Sequence, residues 1–297
     1  MRAPPPGIDP ALLQQVADDV RRALAEDVGG GDLTAALVPA GQVARATVVC
    51  REEAVICGQP WVMETLRQVV PSASARWHVA DGGRCTAGQT IVEFEGSARG
   101  LLTAERTCLN FLQTLSAVAT STALHVAAVA GTGAAILDTR KTIPGLRVAQ
   151  KYAVRCGGGR NHRMGLYDAI LIKENHIAAA GGVAAAFTRA SRLGAGARFI
   201  QVEVETLAEL AEALQAGVGM VLLDNMPTAQ IREAVAMAAG RCSLEVSGGV
   251  TLERLRELAA TGVDRISVGA LIKDIQAVDF SMRFRAAPVE HAAAAPA

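Results

Sequence analysis

Ile136-Leu-Asp-Thr-Arg-Lys-Thr-Ile-Pro-Gly-Leu-Arg-Val-Ala-Gln-Lys151 contains a complete change of pattern. The apolar run from Ala135 to Leu137 reads as a buried strand. It breaks into Asp138, Thr139, Arg140, Lys141 and Thr142, and Pro144-Gly145 then turns the chain into a helical pattern. Arg140 and Lys141 therefore sit on a strand-to-helix loop, projecting from the end of a sheet. The chain has four lysines against 25 arginines, so a lysine beside an arginine at a strand end is not background. The pair suggests an anion site.

From Ala134 onward the same unit recurs. Strands are predicted at Ala135–Asp138, Ala169–Lys173, Phe199–Val204, Met220–Asp224, Leu244–Val246 and Arg265–Val268, with helical segments between them such as Leu207–Ala216, Ala229–Ala238 and Leu252–Ala260. A repeat of roughly 20 to 35 residues suits successive βα units of a barrel. Six strands fall short of a closed barrel, so either a strand is hidden or the barrel is incomplete.

Ahead of this region the pattern differs. Asp9-Pro10 supplies an N-cap and a first-turn proline, and Leu12, Val16, Val20 and Leu24 form an amphipathic stripe that Gly29-Gly30-Gly31 ends. Short β-branched runs at Ala46–Cys50, Ala54–Cys57 and Thr90–Phe94 surround one helix at Trp61–Val70, which predicts a small α+β domain. A long helix opens near Leu101 with Thr103 as its expected cap. The resulting division is an arm at 1–8, an α+β sandwich at 9–115, an α/β barrel at 116–275, a segment at 276–287 returning to the first domain, and a disordered tail at 288–297.

Composition narrows the class. The 29 basic and 29 acidic side chains balance, with no basic stripe, so nucleic acid is not an expected partner. The six cysteines have no C-x-x-C spacing, so reduced thiols of a cytoplasmic protein are expected and a zinc site is not. The start has no apolar core of a signal peptide, and the stretch Ala117–Ala130 is too polar and too short to span a bilayer.

Every predicted strand ends in charged, hydroxyl or glycine residues, as the active rim of a barrel would. Ser247-Gly248-Gly249 and Val268-Gly269-Ala270 look like phosphate cradles, each a glycine turn expected just before a helix N-terminus. Glu203 and Asp224 are carboxylates at consecutive strand ends. They could bind sugar hydroxyls, hold Mg²⁺ directly or through water, steady a cationic transition state, or simply pair with Lys141 or Lys173. Gly157-Gly-Gly-Arg-Asn-His-Arg163 reads as a loop aiming Arg160, His162 and Arg163 at an anion; His162 alone would read as a surface histidine. Arg106, expected in the first turn of the Thr103 helix, opposes the helix dipole, which makes more sense if an anion also binds; alone it reads equally as a surface arginine. Together these features imply group transfer between two anionic substrates.

Asp138-Thr-Arg-Lys-Thr-Ile-Pro-Gly-Leu-Arg147, Gly157-Gly-Gly-Arg-Asn-His-Arg-Met-Gly-Leu166, Leu171-Ile-Lys-Glu-Asn-His176, Glu203-Val-Glu205, Leu223-Asp-Asn-Met226 and Glu245-Val-Ser-Gly-Gly249 resemble the quinolinate phosphoribosyltransferases. The likeness runs from the helix after Asp9 to about Phe284. It implies an N-terminal open sandwich plus an incomplete, about seven-stranded TIM-like α/β barrel, assembled as a dimer or higher. The implied reaction joins quinolinate to phosphoribosyl pyrophosphate with Mg²⁺, giving nicotinate mononucleotide, pyrophosphate and CO₂. It further implies that Arg106 reaches a neighbouring subunit's site. There it would join Arg140, His162 and Arg163 around the quinolinate carboxylates, with Thr139 in the loop where the two substrates meet. Lys141 and Lys173 would face the donor, with Glu203 and Asp224 on the ribose and metal side. Ser247, Gly248, Gly249, Val268, Gly269 and Ala270 would hold the 5′-phosphate.

Three other readings compete. A relative could use another pyridine or pyrrole carboxylate, although the number of cations favours a dicarboxylate. A lysine Schiff-base barrel would want Lys173 desolvated, against the nearby Glu174 and His176. A barrel that only binds a phosphorylated metabolite would leave Glu203 and Asp224 without a role.

Overall fold

The computed structural model describes residues 9–194 and 196–286. The arm expected at 1–8 and the tail expected at 288–297 lie outside the described residues. The chain divides into two compact units, one formed by residues up to Thr120 with those from Gln276 onward, the other by Ser121–Ile275.

In the first unit, α1 (Pro10–Asp27) starts where Asp9 accepts the Ala11 N–H at 2.9 Å, and Leu12, Val16 and Val20 of its stripe are buried. Asp19 is buried on the same helix, because its carboxylate accepts from Gln15, Arg22 and the Trp61 indole N–H. Then follow β1 (Val43–Cys50), β2 (Ala54–Val55), α2 (Gln59–Val69), β3 (Ser74–Trp77), β4 (Arg84–Cys85), β5 (Thr90–Ser97) and α3 (Ala98–Ala128). The strands β3 and β4 have no counterpart in the sequence reading, being short and only partly buried.

Helix α3 corrects one expectation. It begins at Ala98, so Thr103 is inside it and is not a cap; the Thr103 hydroxyl donates to Asp32 at 2.8 Å. Gly100 sits in its first turn. It is a close-contact glycine, since a Cβ there would come within 2.8 Å of Val70. Arg106 therefore lies beyond the first turn, and the argument from an opposed dipole falls. The polar residues of α3 have structural work: Ser116 accepts the Cys57 N–H at 3.0 Å and Thr120 the Val55 N–H at 2.9 Å.

The second unit alternates as expected, through β6 (Ala135–Leu137), α4 (Arg147–Cys156), β7 (Ile170–Ile172), α5 (Glu174–Ala180), α6 (Val183–Leu193), β8 (Ile200–Val204) and α7 (Leu207–Gln215). It continues with β9 (Met220–Asp224), α8 (Thr228–Ala238), β10 (Ser243–Ser247), α9 (Leu255–Ala259), β11 (Arg265–Ser267) and α10 (Ala270–Lys273). The strands form one six-stranded sheet in the order β6-β11-β10-β9-β8-β7, with parallel pairing throughout. Val202, Val221, Leu223, Leu244 and Ile266 are buried in it. At the outer edge of β6, Arg160 makes a one-residue parallel bridge to Leu137. Its N–H donates to Ile136 O at 2.8 Å and its carbonyl accepts the Asp138 N–H at 3.2 Å. Arg160 thus stands where a seventh strand would be, and no ladder among the described residues joins it to β7. The barrel is open.

Finally β12 (Phe280–Ala286) pairs antiparallel with β1, completing the first unit's sheet in the order β12-β1-β5-β3. Ala44, Ala46, Val48 and Cys50 of β1 alternate inward, the pattern of a sheet with one buried face. Among the described residues no helix is long and apolar enough to cross a membrane.

Candidate active site

The site lies at the C-terminal ends of the second unit's strands and starts from a buried clamp. Asp138, at the end of β6, is fully buried and accepts from Lys151 of α4, from Asn161 at 2.6 Å and from the His162 N–H at 2.9 Å. Lys151 also donates to the His162 carbonyl at 3.2 Å. Burial pushes the Asp138 pKa up and the Lys151 pKa down, while their contact pulls each back toward its charged form. Arg147 ties the neighbouring loops together, donating to Thr142, to the Met164 carbonyl and to the Arg140 carbonyl.

Two guanidiniums are held on this frame. Arg163 is buried and donates to the Ala169 carbonyl at 3.2 Å; burial, then the nearby Arg140 charge, lower its pKa. Arg140 has a buried Nε with no hydrogen-bond partner among the described residues. Like charges placed together, one with an orphaned donor, are incomplete without an anion.

His162 departs from its expected place. Its Nδ1 accepts the Arg163 N–H at 2.8 Å and its Nε2 lies 2.9 Å from Gln201 Oε1, with the ring edge against Phe199. Both nitrogens are used inside the protein, so the ring is neither a surface histidine nor free to grip a carboxylate. Arg160, exposed, serves the sheet through its backbone.

The remaining strand ends carry the acids and turns. Lys173 Nζ sits 2.8 Å from both oxygens of Glu203, the ion pair considered from sequence. Asp224 accepts from Ser247 at 2.6 Å and from Asn225 at 2.7 Å. Glu205 is held up chiefly by a hydrogen bond with Glu174 and also by the nearby charges of Glu174, Glu209 and Asp224, so this edge carries excess negative potential. Lys141 is exposed and lies over the turn after β11, where a Cβ on Gly269 would sit 3.1 Å from its Cδ and 3.8 Å from Thr139 Oγ1. Val268 donates to the Leu137 carbonyl at 2.9 Å, bringing the β6 and β11 ends side by side. Arg106 is exposed on α3 in the first unit.

The cradles need correction. No helix follows Gly248-Gly249 directly, since α9 starts at Leu255, and α10 after Gly269 has only four residues. A helix dipole therefore contributes little, and any phosphate would rest on turn backbone. Gly248 is nevertheless essential to its turn, at φ +91°, where a Cβ would meet Asn225 Oδ1 at 2.0 Å and its backbone N at 2.9 Å.

An open parallel α/β barrel with guanidiniums and carboxylates on its C-terminal rim defines an enzyme class that works on anionic substrates. Comparison with known proteins narrows it. The N-terminal domain of quinolinate phosphoribosyl transferase matches residues 32–116, and the C-terminal domain matches residues 118–283. The nicotinate-nucleotide pyrophosphorylase [carboxylating] of Mycobacterium leprae is 46% identical over 89% of this chain and 95% of its own length. A probable enzyme of that name from Bacillus subtilis is 40% identical over 86% of this chain and 89% of its own. The solved nicotinate-nucleotide pyrophosphorylase of Francisella tularensis superposes with a TM-score of 0.90 at 44% identity, covering 96% of this chain and all of that one. The chain belongs to the quinolinate phosphoribosyl transferase family.

Lys151, Asn161, Gln201 and Glu245 hold the site without having been singled out from sequence. For Lys151, Gln201 and Glu245 the signal was a polar residue inside an otherwise apolar strand or helix face; Asn161, in a loop, gave none. Substituting Gly248→Ala should destabilise the fold by about 1–3 kcal/mol and displace Asn225 from Asp224. Denaturant unfolding checks it, and an unchanged midpoint would mean the turn yields freely.

Proposed function

We propose that the protein transfers the phosphoribosyl group of phosphoribosyl pyrophosphate to quinolinate with loss of CO₂, giving nicotinate mononucleotide for NAD biosynthesis. The observation that carries this reading is the orphaned Nε of Arg140 beside the desolvated Arg163. Two adjacent guanidiniums suit the two carboxylates of a pyridine dicarboxylate better than the one of nicotinate. Family membership supplies the class of reaction.

The chain's own groups divide the work. Arg140, Arg163 and Thr139 hold the acceptor so that its ring nitrogen faces C1 of the ribose. Lys141 and Lys173 face the leaving pyrophosphate. Glu203 and Asp224 lie where positive charge develops as the C1–O bond breaks, and the turns at Ser247-Gly248-Gly249 and Val268-Gly269-Ala270 receive the 5′-phosphate. Attack by nitrogen makes a pyridinium, which accepts the electron pair released when the adjacent carboxylate leaves as CO₂; the ring carbon then takes a proton. The part played by the protein in this second step is orientation, with no dedicated base.

Glu203 and Asp224 offer only carboxylate oxygens, the donor chemistry that Mg²⁺ takes. Asp224 and Glu203 would hold the ion directly or through water. When bound it neutralises the pyrophosphate oxygens. A cytoplasmic setting accords with six free cysteines.

Purified protein given quinolinate, phosphoribosyl pyrophosphate and Mg²⁺ should release CO₂ and form nicotinate mononucleotide. Turnover of nicotinate in its place, without CO₂, would overturn the reading. Arg140→Ala should abolish quinolinate binding by calorimetry while leaving the circular dichroism spectrum intact; retained binding would remove Arg140 from the site. We further place Arg106 in the site of a second copy, in a homodimer or higher assembly. Mixing and reassembling inactive Arg106→Ala and Arg140→Ala proteins should then restore activity that neither has alone, and no recovery from mixed dimers would refute the exchange.

A further inference from the structure

Beneath the rim lies a run of buried polar groups that the proposed chemistry does not touch. Gln201 on β8 and Glu245 on β10 are fully buried, and Ser267 on β11 is nearly so. Glu245 Oε2 accepts from Arg265 Nε at 2.9 Å and from Gln201 Nε2 at 3.1 Å, and Oε1 accepts from the Ser267 hydroxyl. Gln201 Oε1 lies 2.9 Å from His162 Nε2, and His162 Nδ1 takes the Arg163 N–H at 2.8 Å.

The direction of every bond in this run is fixed from both ends. A carboxylate flanked by a guanidinium only accepts, so Gln201 must turn its NH₂ group toward Glu245 and its carbonyl toward His162. At the other end, a backbone N–H can only donate, so His162 Nδ1 must carry a lone pair and Nε2 the proton. The two requirements meet in one imidazole tautomer. Burial holds His162 neutral by lowering its pKa, with Arg265 and Lys151 acting the same way and Glu245 opposing.

We propose that Gln201 and Glu245 are positioning residues for the acceptor carboxylates: they lock His162 as the Nε2–H tautomer, whose Nδ1 fixes the backbone from which Arg163 reaches the ligand. This rests on the quinolinate reading of the site. Glu245 sets the amide and also faces the ring directly, with Oε1 3.5 Å from His162 Nε2; the amide sets the ring, and the ring sets Arg163. Neither residue touches substrate.

The test pairs a substrate-free spectrum with kinetics. In the unaltered protein, ¹⁵N-resolved imidazole spectra should give His162 a pyridine-like Nδ1 and a pyrrole-like Nε2. Gln201→Met, which keeps length but removes the acceptor, should mix these signals. It should raise KM for quinolinate roughly tenfold, with little change in KM for phosphoribosyl pyrophosphate or in kcat. Glu245→Gln, close to isosteric, should act the same way more weakly, and it carries the test if Gln201→Met fails to fold. An unchanged tautomer, or a changed tautomer with unchanged quinolinate KM, would overturn the proposal, as would an equal rise in both KM values. The spectrum needs no substrate, so failure of the unaltered protein to use quinolinate would sink the functional reading while the network remained measurable.

Discussion

Asp138 reaches the end of β6 with no access to water, and Lys151, one of four lysines in the chain, comes from α4 to meet it. Desolvating two charges is expensive, and an apolar pair of similar volume would often be at least as stable. The pair persists because it does more than attract. Asp138 also accepts from Asn161 and from the His162 N–H, and Lys151 also donates to the His162 carbonyl. One strand end, one helix and one loop are thereby locked in a single arrangement. Arg140 follows Asp138 by two residues, and Arg163 follows His162 by one. The aim of both guanidiniums descends from this clamp.

Charge on the rim is sorted. Arg140 and Arg163 share one region with a donor left over, while Glu174, Glu205, Glu209 and Asp224 crowd another closely enough to raise the Glu205 pKa. Lys173 and Glu203 join in a pair with both oxygens engaged. Before ligands arrive, such a site must neutralise what it can internally. The Lys173–Glu203 contact is the part that is neutralised, and the arginines and the acidic edge are what is left. Dipoles and charges fixed in advance need no reorganisation when substrate charge develops.

The second unit was legible because its period is plain. All six predicted strands and the polar character of their ends are present, with no boundary moved by more than one residue. Less was legible where one residue type serves two purposes. Thr103 looked like a cap and is a hydroxyl bonded to Asp32 inside α3. Gly248-Gly249 looked like the entry to a helix that starts only at Leu255. The short β3 and β4 lacked enough alternation to be seen. His162 was read with Arg163 as a ligand, because sequence cannot tell which of two adjacent polar residues points inward. Gln201 and Glu203 alternate along β8, as Glu245 and Ser247 do along β10. A polar residue two positions before a functional strand end was therefore the available clue to the buried network.

The missing closure of the barrel accounts for the placement of His162. A full strand beside β6 would commit its backbone to ladders and alternate its side chains in and out. Among the described residues only Arg160 pairs there, and the chain is then free to run from that edge of the sheet to β7 at the other. Along this seam His162 turns into the interior to meet Gln201. Arg163 leaves the same stretch beside Arg140, and Asp168 steadies the far end by accepting the Met164 and Gly165 N–H groups. Two adjacent side chains can both be buried, one reaching the core and one lying near Arg140, because no ladder dictates their faces. A seventh strand there would add hydrogen bonds and lose that freedom. In this unit, the open edge is where the arginine proposed to bind the acceptor is placed.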